Sequence, residues 1–199
     1  FDQTSFSKFL IQGKDAVDLL NRIATANVNV RNGKVLYTQF LNQRGGVEAD
    51  LTITRLEEHQ FLVVTAAFTA MHVEAWIREN IPKDACCSVT DISGSYSMLN
   101  IQGPNSRELL SAVSPNDFSN NKFPFGTMQK IDIGYQSALA IRISYTGELG
   151  WELYIPVEMT LAVYDRLIES GQNFGLRHCG YHTLNSLRIE KAYREWAHD

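Results

Sequence analysis

Ser7-Lys8-Phe9-Leu10-Ile11-Gln12-Gly13 and Ser97-Met98-Leu99-Asn100-Ile101-Gln102-Gly103 follow one pattern, 90 residues apart (7 to 97). Ser, Ile, Gln and Gly recur in place. The pairs Leu19-Leu20 and Leu109-Leu110 recur at the same offset. Each copy reads as a strand, a glycine turn and a helix, the helices over 14–23 and 104–113. Pro104 suits a first helical turn, where a missing N–H would be unpaired in any case. A second strand–helix pair follows in each copy: 61–65 before 71–79, and 151–155 before 159–170. We read an internal duplication.

Hairpin signals lie between these pairs. Asn32-Gly33 separates two strand-like runs, as a tight turn requires. Arg44-Gly45-Gly46 separates 34–41 from 47–55, and Gly134 separates 128–133 from 138–144. A last helix is expected over 183–196, burying Leu184, Leu187, Ile189 and Tyr193. Strand–helix–hairpin–strand–helix, used twice, predicts an α+β fold with mainly antiparallel sheets. No Pro/Ser-rich linker divides the halves, so one domain over 1–199 with a shared core is expected.

The chain has 199 residues, of which 44% are hydrophobic and 20% charged, which is ordinary for a folded domain and excludes disorder. Eighteen basic residues against 22 acidic ones, a net charge of −4, lack the basic footprint of a nucleic-acid binder. No apolar run approaches the ~20 residues that span a bilayer. Small molecules and proteins are therefore the expected partners, with no nucleic acid and no membrane. Three cysteines, two of them adjacent, point to a reducing compartment rather than a disulfide framework. Phe1 in first place suggests a piece of something longer.

Metal and nucleotide signals are weak. His178 and His182 stand four apart, but no second pair completes a ligand set, and no metal is expected. Cys86-Cys87 suits a strand, one thiol in and one out. No Gly-x-Gly-x-x-Gly or Walker loop is present, so no nucleotide cradle is expected within these residues.

Two carboxylates stand out by position. In 47–54 Val47, Ala49, Leu51 and Ile53 share one strand face; Glu48, Asp50, Thr52 and Thr54 share the other. That second face is either solvated or lines a cavity, where Asp50 would suit proton transfer. In 151–155 Glu152 sits between large apolar neighbours, on the side of Tyr154. A buried carboxylate needs a partner. Arg142 and Arg188 are candidates, and a ligand with adjacent N–H donors would serve equally. Tyr145 stands at the mouth of the turn that precedes this strand.

Several stretches together resemble the glycine-cleavage T-protein (aminomethyltransferase) family. They are Arg142-Ile143-Ser144-Tyr145-Thr146-Gly147-Glu148-Leu149-Gly150-Trp151-Glu152-Leu153-Tyr154, Tyr37-Thr38-Gln39, Leu41-Asn42-Gln43-Arg44-Gly45-Gly46, Asp50-Leu51-Thr52, Ile101-Gln102-Gly103-Pro104 and Ser186-Leu187-Arg188-Ile189-Glu190-Lys191-Ala192-Tyr193-Arg194. The nearest flavour is the folate-binding domain of sarcosine and dimethylglycine dehydrogenases. The resemblance implies that tetrahydrofolate captures a one-carbon unit from an imine made by a covalently linked flavin (FAD) domain, giving 5,10-methylenetetrahydrofolate. It implies that Asp50 lies beside the folate nitrogens, accepting a proton and stabilising positive charge. It implies that Glu152 pairs with the pterin's amino and ring N–H groups, and that Tyr37 and Tyr145 line the pocket. Tyr154 joins them through the Glu152 strand.

Leu184 stands where free-standing T-proteins carry an arginine, which favours the dehydrogenase-fused branch. The resemblance places a flavin domain before residue 1 and a β-barrel after residue 199. It also leaves a non-catalytic alternative, a regulatory subunit of the pyruvate dehydrogenase phosphatase type. The implied location is cytoplasmic in a bacterium and the mitochondrial matrix in a eukaryote.

Overall fold

A computed structural model describes residues 1–199. They divide into two compact units, Ser5–Gly94 and Ser95–Asp199, the latter taking in Phe1–Thr4.

The unit Ser5–Gly94 contains β1 (Ser7–Gln12), α1 (Ala16–Ile23), β2 (Val35–Leu41), β3 (Val47–Glu57), β4 (Gln60–Thr65), α2 (Ala70–Glu79) and β5 (Ser88–Asp91). The strands form a sheet in the order β2-β3-β4-β1-β5, with every pairing antiparallel. Alternation sends Phe9, Ile11, Ala49, Leu51, Ile53, Phe61 and Val63 to one face, under Leu19, Leu20 and Ile23 of α1 and Val73 and Ile77 of α2. Asp50 and Thr52 are thereby left on the face that these helices do not cover.

The unit Ser95–Asp199 contains β6 (Tyr96–Gln102), α3 (Ser106–Val113), β7 (Met128–Ile133), β8 (Gln136–Ile141), β9 (Gly150–Pro156), α4 (Thr160–Gly171) and α5 (Tyr181–Glu190). Its sheet has the order β6-β9-β8-β7. With β6 matched to β1 and β7–β9 to β2–β4, that is the order of the first sheet without β5. The duplication read from Ile-Gln-Gly is therefore present in the topology. Trp151, Leu153 and Ile155 face the core, where Trp151 meets Phe118 and Phe123 edge-on at 5.4 and 6.0 Å.

Five local expectations need correction. The buried apolar residues form two clusters, one in each unit, not one shared core. No strand precedes Asn32-Gly33. There Asn27 Oδ1 accepts the Asn29 N–H at 2.9 Å, and the Arg55 guanidinium holds Asn29 Oδ1 and the Val30 carbonyl, so polar groups find partners without a ladder. Pro104 lies ahead of α3 in a turn closed by Ser106 N–H to Gly103 O at 3.1 Å. Asn105 has φ −93° and ψ 7°, which makes this a type I turn with proline at its favoured second position. Cys86 and Cys87 precede β5 rather than lying on it. Finally, α5 ends at Glu190 and buries Leu184 and Arg188, while Ile189 and Tyr193 are exposed. The backbone turns there, with Ala192 at φ 56° and Tyr193 N–H on the Arg188 carbonyl at 3.0 Å.

Candidate functional site

Asp50 stands opposite Gln39 on β2, and Tyr37 stands opposite Thr52, so Tyr37 and Asp50 are diagonal neighbours on one face. The Tyr37 hydroxyl donates to Asp50 Oδ2 at 2.9 Å. Partial burial and this carboxylate push the Tyr37 hydroxyl up to about 12, so it stays a neutral donor at physiological pH. Thr65 Oγ1 donates to the Asp50 carbonyl at 3.0 Å and ties the strand to β4. Glu48 leaves this face. Phe40 pairs with Ala49 but Leu41 with Val47, so Glu48 is the extra residue of a bulge. It turns to His72 at 2.9 Å and to the Asn42 side chain at 2.6 Å.

Glu152 sits on β9, between Asn100 of β6 and Ile141 of β8. Its carboxyl accepts the Tyr154 hydroxyl at 2.8 Å. Neither expected arginine reaches it. Arg142 donates to the Phe123 carbonyl at 2.7 Å and lies over the Trp151 ring at 5.5 Å. Arg188 pairs with Asp199 and, at 3.6 Å, with Glu195. Glu152 is a half-buried carboxyl with no cation, and desolvation lifts it to about 7, against the opposing pull of the Tyr154 hydrogen bond. Tyr154 is 1% exposed and points its hydroxyl at Glu152, so it holds that carboxyl in place. Burial, with the adjacent carboxylate, raises the Tyr154 hydroxyl well above its ordinary value.

Tyr145 is half-buried in the same unit as Glu152. Its ring lies on Tyr193 at 6.2 Å and 17°, and its hydroxyl donates to the Arg194 carbonyl at 3.0 Å. The segment it leans on is organised by Arg188, which is 3% exposed. That guanidinium donates to the Tyr193 carbonyl at 2.9 Å, to Asn185 Oδ1 at 2.8 Å and to the Asp199 carboxylate. The sequence offers Arg188 as a possible partner for Glu152, but the structure gives it other partners. Its guanidinium bonds Asn185, Tyr193, Glu195 and Asp199, which gathers residues 193–199 about it.

Other features sit away from these five residues. A hollow of about 620 Å³ in the unit Ser5–Gly94 is lined by Arg22, Thr25, Asn42, Arg44, Trp76 and Asn80, among others, and by none of the five. His178 stacks on Tyr164 at 6.0 Å and is held by its hydroxyl at 3.2 Å. No helix is long and apolar enough to cross a membrane.

Each unit thus offers one chemical group. Asp50, steadied by a neutral hydroxyl, can accept a proton or stabilise positive charge nearby. Glu152, steadied by Tyr154 and lacking a cation, can accept paired N–H donors.

The family model of the GCVT N-terminal domain matches residues 1–199. Over its whole length the chain is 43% identical to a 4-methylaminobutanoate oxidase (formaldehyde-forming) of Paenarthrobacter nicotinovorans, covering 24% of that protein. It is 37% identical to a mitochondrial sarcosine dehydrogenase of Mus musculus, covering all of this chain and 23% of that protein. The glycine cleavage system aminomethyltransferase T from Bartonella henselae shares the fold, with a TM-score of 0.84 at 24% identity over 98% of this chain and 51% of that one. The chain spans about a quarter of the length of the two curated relatives.

Proposed function

The chain belongs to the GCVT N-terminal domain family, and from that membership we propose that it is a tetrahydrofolate-binding domain for one-carbon transfer from an N-methyl amine such as sarcosine or dimethylglycine. The observation that carries this is Glu152. A half-buried carboxyl held by Tyr154 and left without a cation suits a ligand edge bearing two N–H donors. The 2-amino-4-oxo edge of a pterin is such an edge, so the residues fit the group.

Tetrahydrofolate, when bound, supplies the ring nitrogens that take up the one-carbon unit of an imine as 5,10-methylenetetrahydrofolate. Glu152 binds and orients the pterin edge. Tyr154 keeps the carboxyl turned toward it. Asp50 accepts a proton and stabilises positive charge at the reacting centre, with Tyr37 fixing its oxygen. Tyr145 offers a ring edge to the same ligand. Oxidation of the amine falls to a flavin-bearing part of the full-length polypeptide. Neither strand–turn–helix unit here carries a Gly-x-Gly-x-x-Gly turn, so no flavin step is assigned to these residues.

The test is calorimetric titration of the full-length polypeptide with tetrahydrofolate. Glu152→Gln should weaken binding by roughly 1.5–3 kcal/mol, the range for a hydrogen bond to a charged group. Unchanged binding would overturn the role of Glu152. Asp50→Ala should fold normally yet form no methylenetetrahydrofolate, and product formed at the unaltered rate would overturn the role of Asp50. A full-length polypeptide that binds the folate but oxidises no amine would be the regulatory kind.

A further inference from the structure

Gln102 is the last residue of β6, two residues after Asn100, so both project from the sheet face that carries Glu152. Its partner across the ladder is Gly150. The Gln102 amide occupies the space that a side chain on Gly150 would need: a Cβ built there would fall 2.1 Å from Gln102 Oε1. The amide is pinned at its other end, with Nε2 donating to Asn100 Oδ1 at 3.2 Å. Asn100 in turn stands directly opposite Glu152. Gln102 Oε1 is buried and receives no hydrogen bond.

A buried acceptor without a donor is unfavourable, and folded chains avoid one unless something else fills the need. Here the unfilled acceptor lies diagonally across two paired strands from a carboxylate that lacks a cation. Diagonal Cβ atoms in such a pair lie ~7–8 Å apart or somewhat less, within reach of long side chains. Two acceptors so placed match a ligand with three N–H bonds along one edge.

We propose that Gln102 is a specificity-determining residue of the site that holds Glu152: its Oε1 accepts the hydrogen of the ligand's exocyclic amine that Glu152 does not take. This rests on Glu152 binding a pterin edge. Glu152 then takes the ring N–H and one hydrogen of the C2 amine, and the second amine hydrogen is left for Gln102. Gly150 leaves the room in which the amide can lie. A ring without the C2 amine binds more weakly, because it forgoes the hydrogen bond at Gln102 and one of the two at Glu152.

The experiment is calorimetric titration of the full-length polypeptide with tetrahydrofolate and with its analogue lacking the C2 amine. Gln102→Met should weaken tetrahydrofolate binding about 3- to 10-fold, the size of one neutral hydrogen bond, and leave analogue binding unchanged. Gln102→Leu, which also lacks the acceptor, is the second variant should the methionine form fail to fold. An equal loss with both ligands, or no loss with either, would overturn the role of Gln102. Glu152→Gln separates the two assignments. If it weakens tetrahydrofolate binding while Gln102→Met does not, the pterin edge at Glu152 stands and Gln102 falls. Absence of tetrahydrofolate binding by the unaltered polypeptide overturns both.

Discussion

Tyr37 and Asp50 meet across β2 and β3, the tyrosine hydroxyl 2.9 Å from Oδ2. The bond crosses one diagonal of the ladder, since Tyr37 pairs with Thr52 and Asp50 with Gln39. The Tyr37 ring is largely exposed, so the contact adds little to the stability of the fold.

Tyr37→Phe should therefore leave the melting temperature nearly unchanged. A donor to the ionised carboxylate favours its charged form, and losing it makes the carboxylate easier to protonate. The acid limb of the pH–rate profile for one-carbon capture should move to higher pH. An unmoved limb would show that the hydroxyl does not act through Asp50.

Glu152 links pH to stability in the direction opposite to most carboxylates. Desolvation raises it from 4.5 to about 7, so the folded chain binds its proton more tightly than the unfolded chain does. Below pH 4.5 both forms are protonated and nothing is lost. As pH climbs from there through 7 the folded state loses stability, by up to about 3 kcal/mol at one pKa unit per 1.36 kcal/mol. Glu152→Gln should flatten that part of the stability–pH curve in denaturant titrations. Ligand N–H donors favour the ionised form, so tetrahydrofolate affinity should rise over the same interval. A fall would contradict the pairing.

The two repeat glycines should not be equivalent. Gly13 has φ +136°, and a Cβ there would fall 2.1 Å from the Cys86 carbonyl oxygen, a backbone atom. Gly103 has φ +116°, but a Cβ there meets nothing within 4 Å. Gly13→Ala should cost about 2–5 kcal/mol, strain plus overpacking, and Gly103→Ala about 1–3 kcal/mol, strain alone. Denaturant unfolding of the two variants measures the difference, and the reverse order would refute it.

Arg188 should govern the turn after α5. Its guanidinium serves Asn185, the Tyr193 carbonyl, Glu195 and Asp199 together, a fork that a lysine ammonium cannot reproduce. Both Arg188→Lys and Arg188→Met should speed tryptic cleavage at Arg194 in the native protein. They should also release Tyr145 from Tyr193. Cleavage at the original rate would mean that the turn holds itself.

Much of the fold was legible because the pattern repeats. Ile-Gln-Gly marked the strand-to-helix turn twice, and strict alternation in β3 and β9 placed Asp50 and Glu152 on faces away from their cores. What alternation cannot show is a bulge, and Glu48 left its expected face for that reason. It cannot show which arginine reaches which acid either. Arg188 looked like a partner for Glu152, but its own helix ends in a turn that surrounds it with carboxylates and carbonyls. The Asn32-Gly33 dipeptide signalled a turn correctly, yet the residues before it satisfy polar groups locally and need no strand. The Ile-Gln-Gly repeat cannot show that the Gln102 amide occupies the space beside Gly150, because that packing belongs to the paired strands.

A Glu152 carboxyl titrating near neutrality has a thermochemical consequence. On the proposed pairing, part of the population would enter complex formation still carrying a hydrogen ion, which would have to leave for a pterin edge to dock. The heat recorded in a titration would then contain the ionisation enthalpy of whatever buffer collects that ion. Repeating the measurement in phosphate and in Tris, whose ionisation heats differ widely, would count the ions shed per complex without altering a single atom of the polypeptide.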